Sequence, residues 1–222
     1  MLPFTIEEFF AVFGRYNQAV WPAQIALLVL GLAGIALTVR RRQGDLRWVC
    51  VILAILWLWT AFAYHIAFFR PVNPAAWLFG AAFAIQGLLL ARYAWRADGA
   101  GAGGERSRWS TTVGVLLVAY ALVGYPLVGW VVGHHYPASP TFGVPCPTTI
   151  YTLGILVWWM PAVRWGLLVI PVAWAVVGAS AAVQLGVPED WGLPAAAALA
   201  VAATVFGHRR GPAGFAVPRS TA

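Results

Sequence analysis

Seven side chains in this sequence pair reactive chemistry with positions that one end of a folded chain could gather: His65, Asn73, His134, His135, Cys146, Glu189 and Asp190. Cys146 stands between Pro145 and Pro147 at what reads as a helix start. A helix N-terminus lowers a thiol's pKa, so the expectation there is a thiolate. Thiolate and imidazole form a soft to borderline ligand set, so Cys146, His134 and His135 are the candidate metal ligands. Zinc or copper would suit them, and His65 could complete the set. Their spacing matches no established zinc signature, so packing and hydrogen bonding is the plainer role for Cys146. A cysteine nucleophile with a histidine base is a third reading. His65, Asn73, Glu189 and Asp190 are the candidate solute-binding residues. The plainer role for the two acids is favourable placement at a helix start. His65 follows Tyr64 in an apolar run, where an ionisable residue is expensive and needs a partner. Asn73, Glu7 or Gln86 is the expected one, and Gln24 and Gln86 need partners too.

The elements that position these groups are set by composition. Of 222 residues, 61% are hydrophobic and only 9% are charged. A soluble domain carries about 25% charged residues. The apolar residues fall in blocks of about the length a helix needs to cross a bilayer. The expected fold is all-α, a polytopic membrane helix bundle whose lipid partner is the bilayer. That excludes a soluble enzyme, a nucleic-acid reader and a secreted disulfide scaffold. The net charge of +7 comes from arginine alone. With no lysine there is no retinal Schiff base and no lysine-based covalent catalysis.

Seven spans are expected, near 20–39, 48–68, 74–94, 111–132, 147–163, 166–184 and 191–207. The fifth and seventh are short and interrupted by Gly or Pro, and losing one would leave six. Residues 1–19 do not read as a signal peptide: Thr5-Ile6-Glu7-Glu8 is a capping box opening a short aromatic helix, placed at the membrane interface. The whole of 1–210 reads as one transmembrane domain, with a flexible glycine linker at 96–108 and a disordered tail at 211–222. Twelve arginines fall in one set of connections; only Arg15 and Arg70 fall in the other. By the positive-inside rule the N-terminus is outside, and the linker and tail are cytoplasmic. Cys50 and Cys146 then sit at opposite ends of the bundle, beyond disulfide reach. All seven candidate site residues lie on the outer half.

Three outer connections share a pattern: Pro71-Val72-Asn73-Pro74, Val144-Pro145-Cys146-Pro147 and Val187-Pro188-Glu189-Asp190. Each introduces an inward-running helix, so three positive helix ends would face one rim. Gly129-Trp130-Val131-Val132-Gly133 and Gly178-Ala179-Ser180-Ala181-Ala182 read as close helix contacts.

Several fragments occur together: Tyr16-Asn17 with Trp21-Pro22 and Gln24, Tyr64-His65 with Asn73-Pro74-Ala75-Ala76, Phe142-Gly143-Val144-Pro145-Cys146-Pro147-Thr148-Thr149, and Gly186-Val187-Pro188-Glu189-Asp190. The combination resembles an uncharacterised family of bacterial multi-pass membrane proteins, a domain of unknown function sometimes labelled a transporter permease. The likeness covers nearly the whole chain and implies no substrate or mechanism. Neither an HxxxH pair of the seven-helix zinc hydrolases nor a CxxC pair of the membrane oxidoreductases occurs. The leading expectation is an inner-membrane permease or binding protein for a small solute or ion, with catalysis left open but not favoured, alone or in a homo-oligomer or larger complex. A membrane-embedded metal-dependent hydrolase and a non-catalytic accessory subunit are the alternatives.

Overall fold

The computed structural model describes residues 3–96, 107–159 and 165–209, without the side chains of residue 181 and of 206–209. The glycine linker, the tail and the end of the expected fifth span lie outside the described residues. Those residues form an all-helical bundle. Its helices are α1 (Ile6–Ala19), α2 (Ala23–Arg40), α3 (Asp45–Trp59), α4 (Ala76–Arg96), α5 (Arg108–Ala119), α6 (Tyr125–Val131), α7 (Pro145–Trp158), α8 (Val169–Leu185) and α9 (Gly192–Arg209). Two π-helical stretches, Thr60–Phe69 and Tyr120–Gly124, extend α3 and join α5 to α6.

Each expected span has a helical counterpart. Five of these segments are long and apolar enough to cross a membrane: Ala23–Arg40, Asp45–Phe69, Ala76–Arg96, Arg108–Val131 and Trp165–Leu185. Their outward faces carry large apolar side chains such as Leu32, Leu78, Leu88, Val123 and Val176. Exposed tryptophans mark the helix ends: Trp21, Trp48, Trp77, Trp95, Trp109, Trp130, Trp165 and Trp191. That is the belt expected where amphipathic rings meet a membrane interface.

The helix at the weak fifth position is the hub. With 14 residues, α7 is about 21 Å long, shorter than the ~30 Å hydrocarbon layer. It is buried on every side, packed by α2, α3, α5, α8 and α9. A helix screened by its neighbours need not be apolar throughout, which explains Thr148, Thr149 and Thr152 along it. Thr152 donates to the Thr148 carbonyl at 2.8 Å and accepts from Trp57 Nε1 at 2.9 Å.

The capping box forms as expected, with Thr5 and Glu8 bonding each other's backbone N–H. Helix α1 is amphipathic and lays Phe9, Val12, Phe13, Tyr16 and Asn17 on the bundle. Asn17 ties it to the α6–α7 connection. Its Nδ2 donates to the carbonyls of Pro137 at 2.6 Å and Ser139 at 2.8 Å. Its Oδ1 accepts from Gln24 at 2.6 Å and Thr141 at 2.8 Å. Asn17→Ala strands these partners, each buried unpaired group costing about 1–3 kcal/mol. Amide hydrogen exchange over residues 136–141 should then quicken while α7 keeps its protection; unchanged exchange in that loop would contradict the role.

Candidate functional site

At the α1 end of the bundle lies a cavity of about 180 Å³. Its roof is the aromatic face of α1, with Phe4 before it and Phe9 and Phe13 on it. Its walls come from the stretch Thr60–Phe69, the start of α7, the end of α8 and the turn at residues 188–191. Apolar rings make most of the surface. The exceptions carry the chemistry: His65, Asn73, Cys146 and Asp190 line it, with Ser180 and Gln184 of α8.

The acids are not where a simple helix start would put them. Pro188–Trp191 forms a 3₁₀ turn before α9 begins at Gly192, and it carries the Glu189 and Asp190 side chains into the protein. Tyr125 Oη donates to Asp190 Oδ1 at 2.5 Å, and Tyr120 Oη donates to the Glu189 carbonyl at 2.7 Å. The π-helical turn between these tyrosines is what permits both contacts. In a regular α-helix residues five apart point about 140° apart. Here the Tyr125 N–H bonds the Tyr120 carbonyl, and the widened turn sets both rings against the same segment. Such turns are rare and gather at functional sites.

Asp190 also accepts a hydrogen bond from the Cys146 thiol. Burial pushes the Asp190 carboxyl from the usual range near 4 up to about 7, with the neighbouring Glu189 adding to the rise and the Tyr125 and Cys146 hydrogen bonds opposing it. The expected thiolate is therefore corrected. Burial first, and then the adjoining Asp190 carboxylate, hold the Cys146 thiol protonated.

His65 has no polar partner. Both ring nitrogens are buried without a hydrogen bond, which corrects the expected pairing with Asn73, Glu7 or Gln86. Gln86 instead donates to the Leu167 carbonyl at 2.9 Å, and Asn73 Oδ1 accepts from the Ala75 N–H at 3.0 Å. The imidazole sits among rings, with centroids of Phe83 at 4.8 Å, Trp174 at 5.3 Å, Tyr64 at 5.4 Å and Phe79 at 5.9 Å.

The remaining candidates stand apart. His134 Nδ1 meets Glu189 Oε1 at 2.8 Å, and neither residue lines the cavity, while Glu189 Oε2 is buried without a partner. His135 is exposed and packs on Trp130, with ring centroids 6.0 Å apart. Thus Cys146, His134 and His135 do not form one ligand set. Among the described residues no group of three or more His, Cys, Asp or Glu side chains is placed to hold a metal ion. Gly129 serves the acids rather than a helix contact: a Cβ there would lie 3.1 Å from Glu189 Oε1. Gly133, at φ +96°, belongs to the turn after α6. Gly178 is a true close contact, under Leu193 of α9. Sequence reasoning missed Tyr125, Trp174 and the phenylalanines of α1 as site residues. No local motif marks them, because Tyr125 meets Asp190, Trp174 meets His65, and Phe9 and Phe13 meet Phe69 and Tyr64 only across the fold.

A family model matches residues 6–213 of the chain. The chain belongs to DUF6064, a family of unknown function. The match spans both π-helical stretches, α7 and the turn bearing the two acids, so the cavity lies wholly within the family's domain apart from Phe4. No curated protein and no solved structure matches the chain.

Proposed function

We propose that this DUF6064 member is a permease-like binding protein of the inner membrane, taking a small solute into its cavity from the outer face. The arginine asymmetry supports the orientation, since the cavity lies at the end of the bundle poor in arginine. The observation that carries the reading is His65. An imidazole buried with neither nitrogen bonded costs about 1–3 kcal/mol, and a ligand in the adjoining cavity would recover that cost. Small-molecule sites have this build: mostly apolar walls with few convergent polar groups.

The test is thermal unfolding of the protein in lipid nanodiscs against a panel of small amines, alcohols, carboxylates and zwitterions. A solute at 100 times its Kd adds about 2.7 kcal/mol of stability, so at least one class should raise the midpoint. Val177→Phe, which intrudes from α8 into the cavity, should abolish the shift. For the stabilising solute, His65→Ala and Cys146→Ala should lower vesicle uptake by about tenfold, the equivalent of one hydrogen bond. A panel without any stabilising solute would overturn the reading.

A further inference from the structure

We propose that the solute is a protonated amine with a small apolar or aromatic body, and that it enters the cavity in exchange for the proton of Asp190. The inference rests on the solute-binding reading above and adds the chemical class of the ligand.

Asp190 and Glu189 are adjacent, both fully or almost fully buried, and His134 answers Glu189 alone. The groups acting on Asp190 are the Tyr125 hydroxyl, the Cys146 thiol and Glu189, with the Tyr64 and Tyr120 hydroxyls also in its field. None of these is a cation. Helix α8 has no titratable side chain, and α9 has none over residues 192–206. A cavity whose buried carboxyl faces no cationic side chain disfavours an anion and suits a cation.

Shape and hydrogen bonding narrow the class. Phe9, Phe13, Tyr64, Phe79 and Trp174 present rings to the cavity, and aromatic faces attract cations, most strongly when water is excluded. A hydrated inorganic ion would gain little from such walls. An ammonium carries several N–H donors. Asp190 has acceptor capacity beyond its two bonds, and the unprotonated nitrogen of His65 is a second, unpartnered acceptor on the same wall.

The exchange balances. A neutral carboxyl and an ammonium become a carboxylate–ammonium pair and one released proton, so the charge in the buried chamber rises by one on entry of the cation and falls by one on loss of the proton. Burial holds the Asp190 proton up to a pKa of about 7, which makes that proton available for release near neutrality.

The experiment is calorimetric titration of the nanodisc-embedded protein with benzylammonium, which stays protonated from pH 5.5 to 8. Benzyl alcohol and benzoate are the neutral and anionic probes of similar shape. Repeating the titration in buffers of different ionisation enthalpy counts the protons released. The expected result is benzylammonium affinity that rises up to about tenfold per pH unit below the Asp190 titration and levels above it. Close to one proton should leave per ligand at pH 6, and Asp190→Asn should weaken binding at least tenfold and abolish the release. Should Asp190→Asn fail to fold, the wild-type pH profile and proton count decide alone. Equal or tighter binding of benzyl alcohol or benzoate, a pH-independent affinity, or no benzylammonium binding would overturn the inference. Tight benzyl alcohol binding would do so while leaving solute binding intact; only a panel with no stabilising solute removes both.

Discussion

In detergent, the stability of the ligand-free protein is expected to fall as pH rises from about 4 to about 7, and Asp190→Asn is expected to remove most of that fall. An unfolded chain releases the aspartate proton near 4, whereas burial keeps it on Asp190 up to about 7. Between those values the folded state binds more protons than the unfolded one, so raising the pH favours unfolding. The contribution is fully present below about pH 4 and lost once the pH passes about 7. The interval corresponds to about 4 kcal/mol at most. Denaturant midpoints at pH 4.5, 6 and 7.5 for wild type and variant would measure it, since their difference isolates this one carboxyl. Parallel profiles for the two proteins would show that Asp190 titrates normally, and the packing of the 188–191 turn would need revision.

The second large effect lies far from the cavity, where α5 crosses α7. A Cβ added at Gly114 would stand 2.6 Å from the Trp158 Cβ and 2.8 Å from the Gly154 carbonyl oxygen. A Cβ at Gly154 would in turn meet the Gly114 carbonyl oxygen at 3.0 Å. These obstacles are backbone and the root of a side chain, so no rotamer change relieves them. Gly114→Leu must therefore push the helices apart, and a loss of about 3 kcal/mol or more is expected, the upper end for overpacking. Gly14→Ala is the control. Gly14 has nothing within 4 Å of its Cβ position, so alanine there should be neutral or should gain up to about 1 kcal/mol from helix propensity. Thermal midpoints of the two variants separate the cases, and a neutral Gly114→Leu would mean that the crossing is looser than described.

Gly114 and Gly154 also show the limit of motif reading. The small-residue runs visible in sequence were those at Gly129 and Gly178. Only Gly178 serves a helix contact, while Gly129 makes room for a carboxylate. The α5–α7 crossing uses one glycine from each of two helices, and nothing local to either announces the pairing.

The sequence by itself determined the helical membrane class and the place of every long helix, because bilayer thickness and apolar content act locally along the chain. It also determined the capping box of α1, a contact between residues three apart, and of the seven residues it singled out as candidates four line the cavity while His134, His135 and Glu189 do not. Tertiary structure alone decided the rest. It made α7, expected from the sequence as a short span, the centre of the bundle, since a helix screened by its neighbours escapes the bilayer's demands on length and composition. It left His65 without a partner, gave Asp190 to Tyr125 and Cys146, and turned His135 away from Cys146. Those outcomes depend on which helices touch and on two widened π-helical turns, and such relations across the fold leave no periodic trace in a single chain.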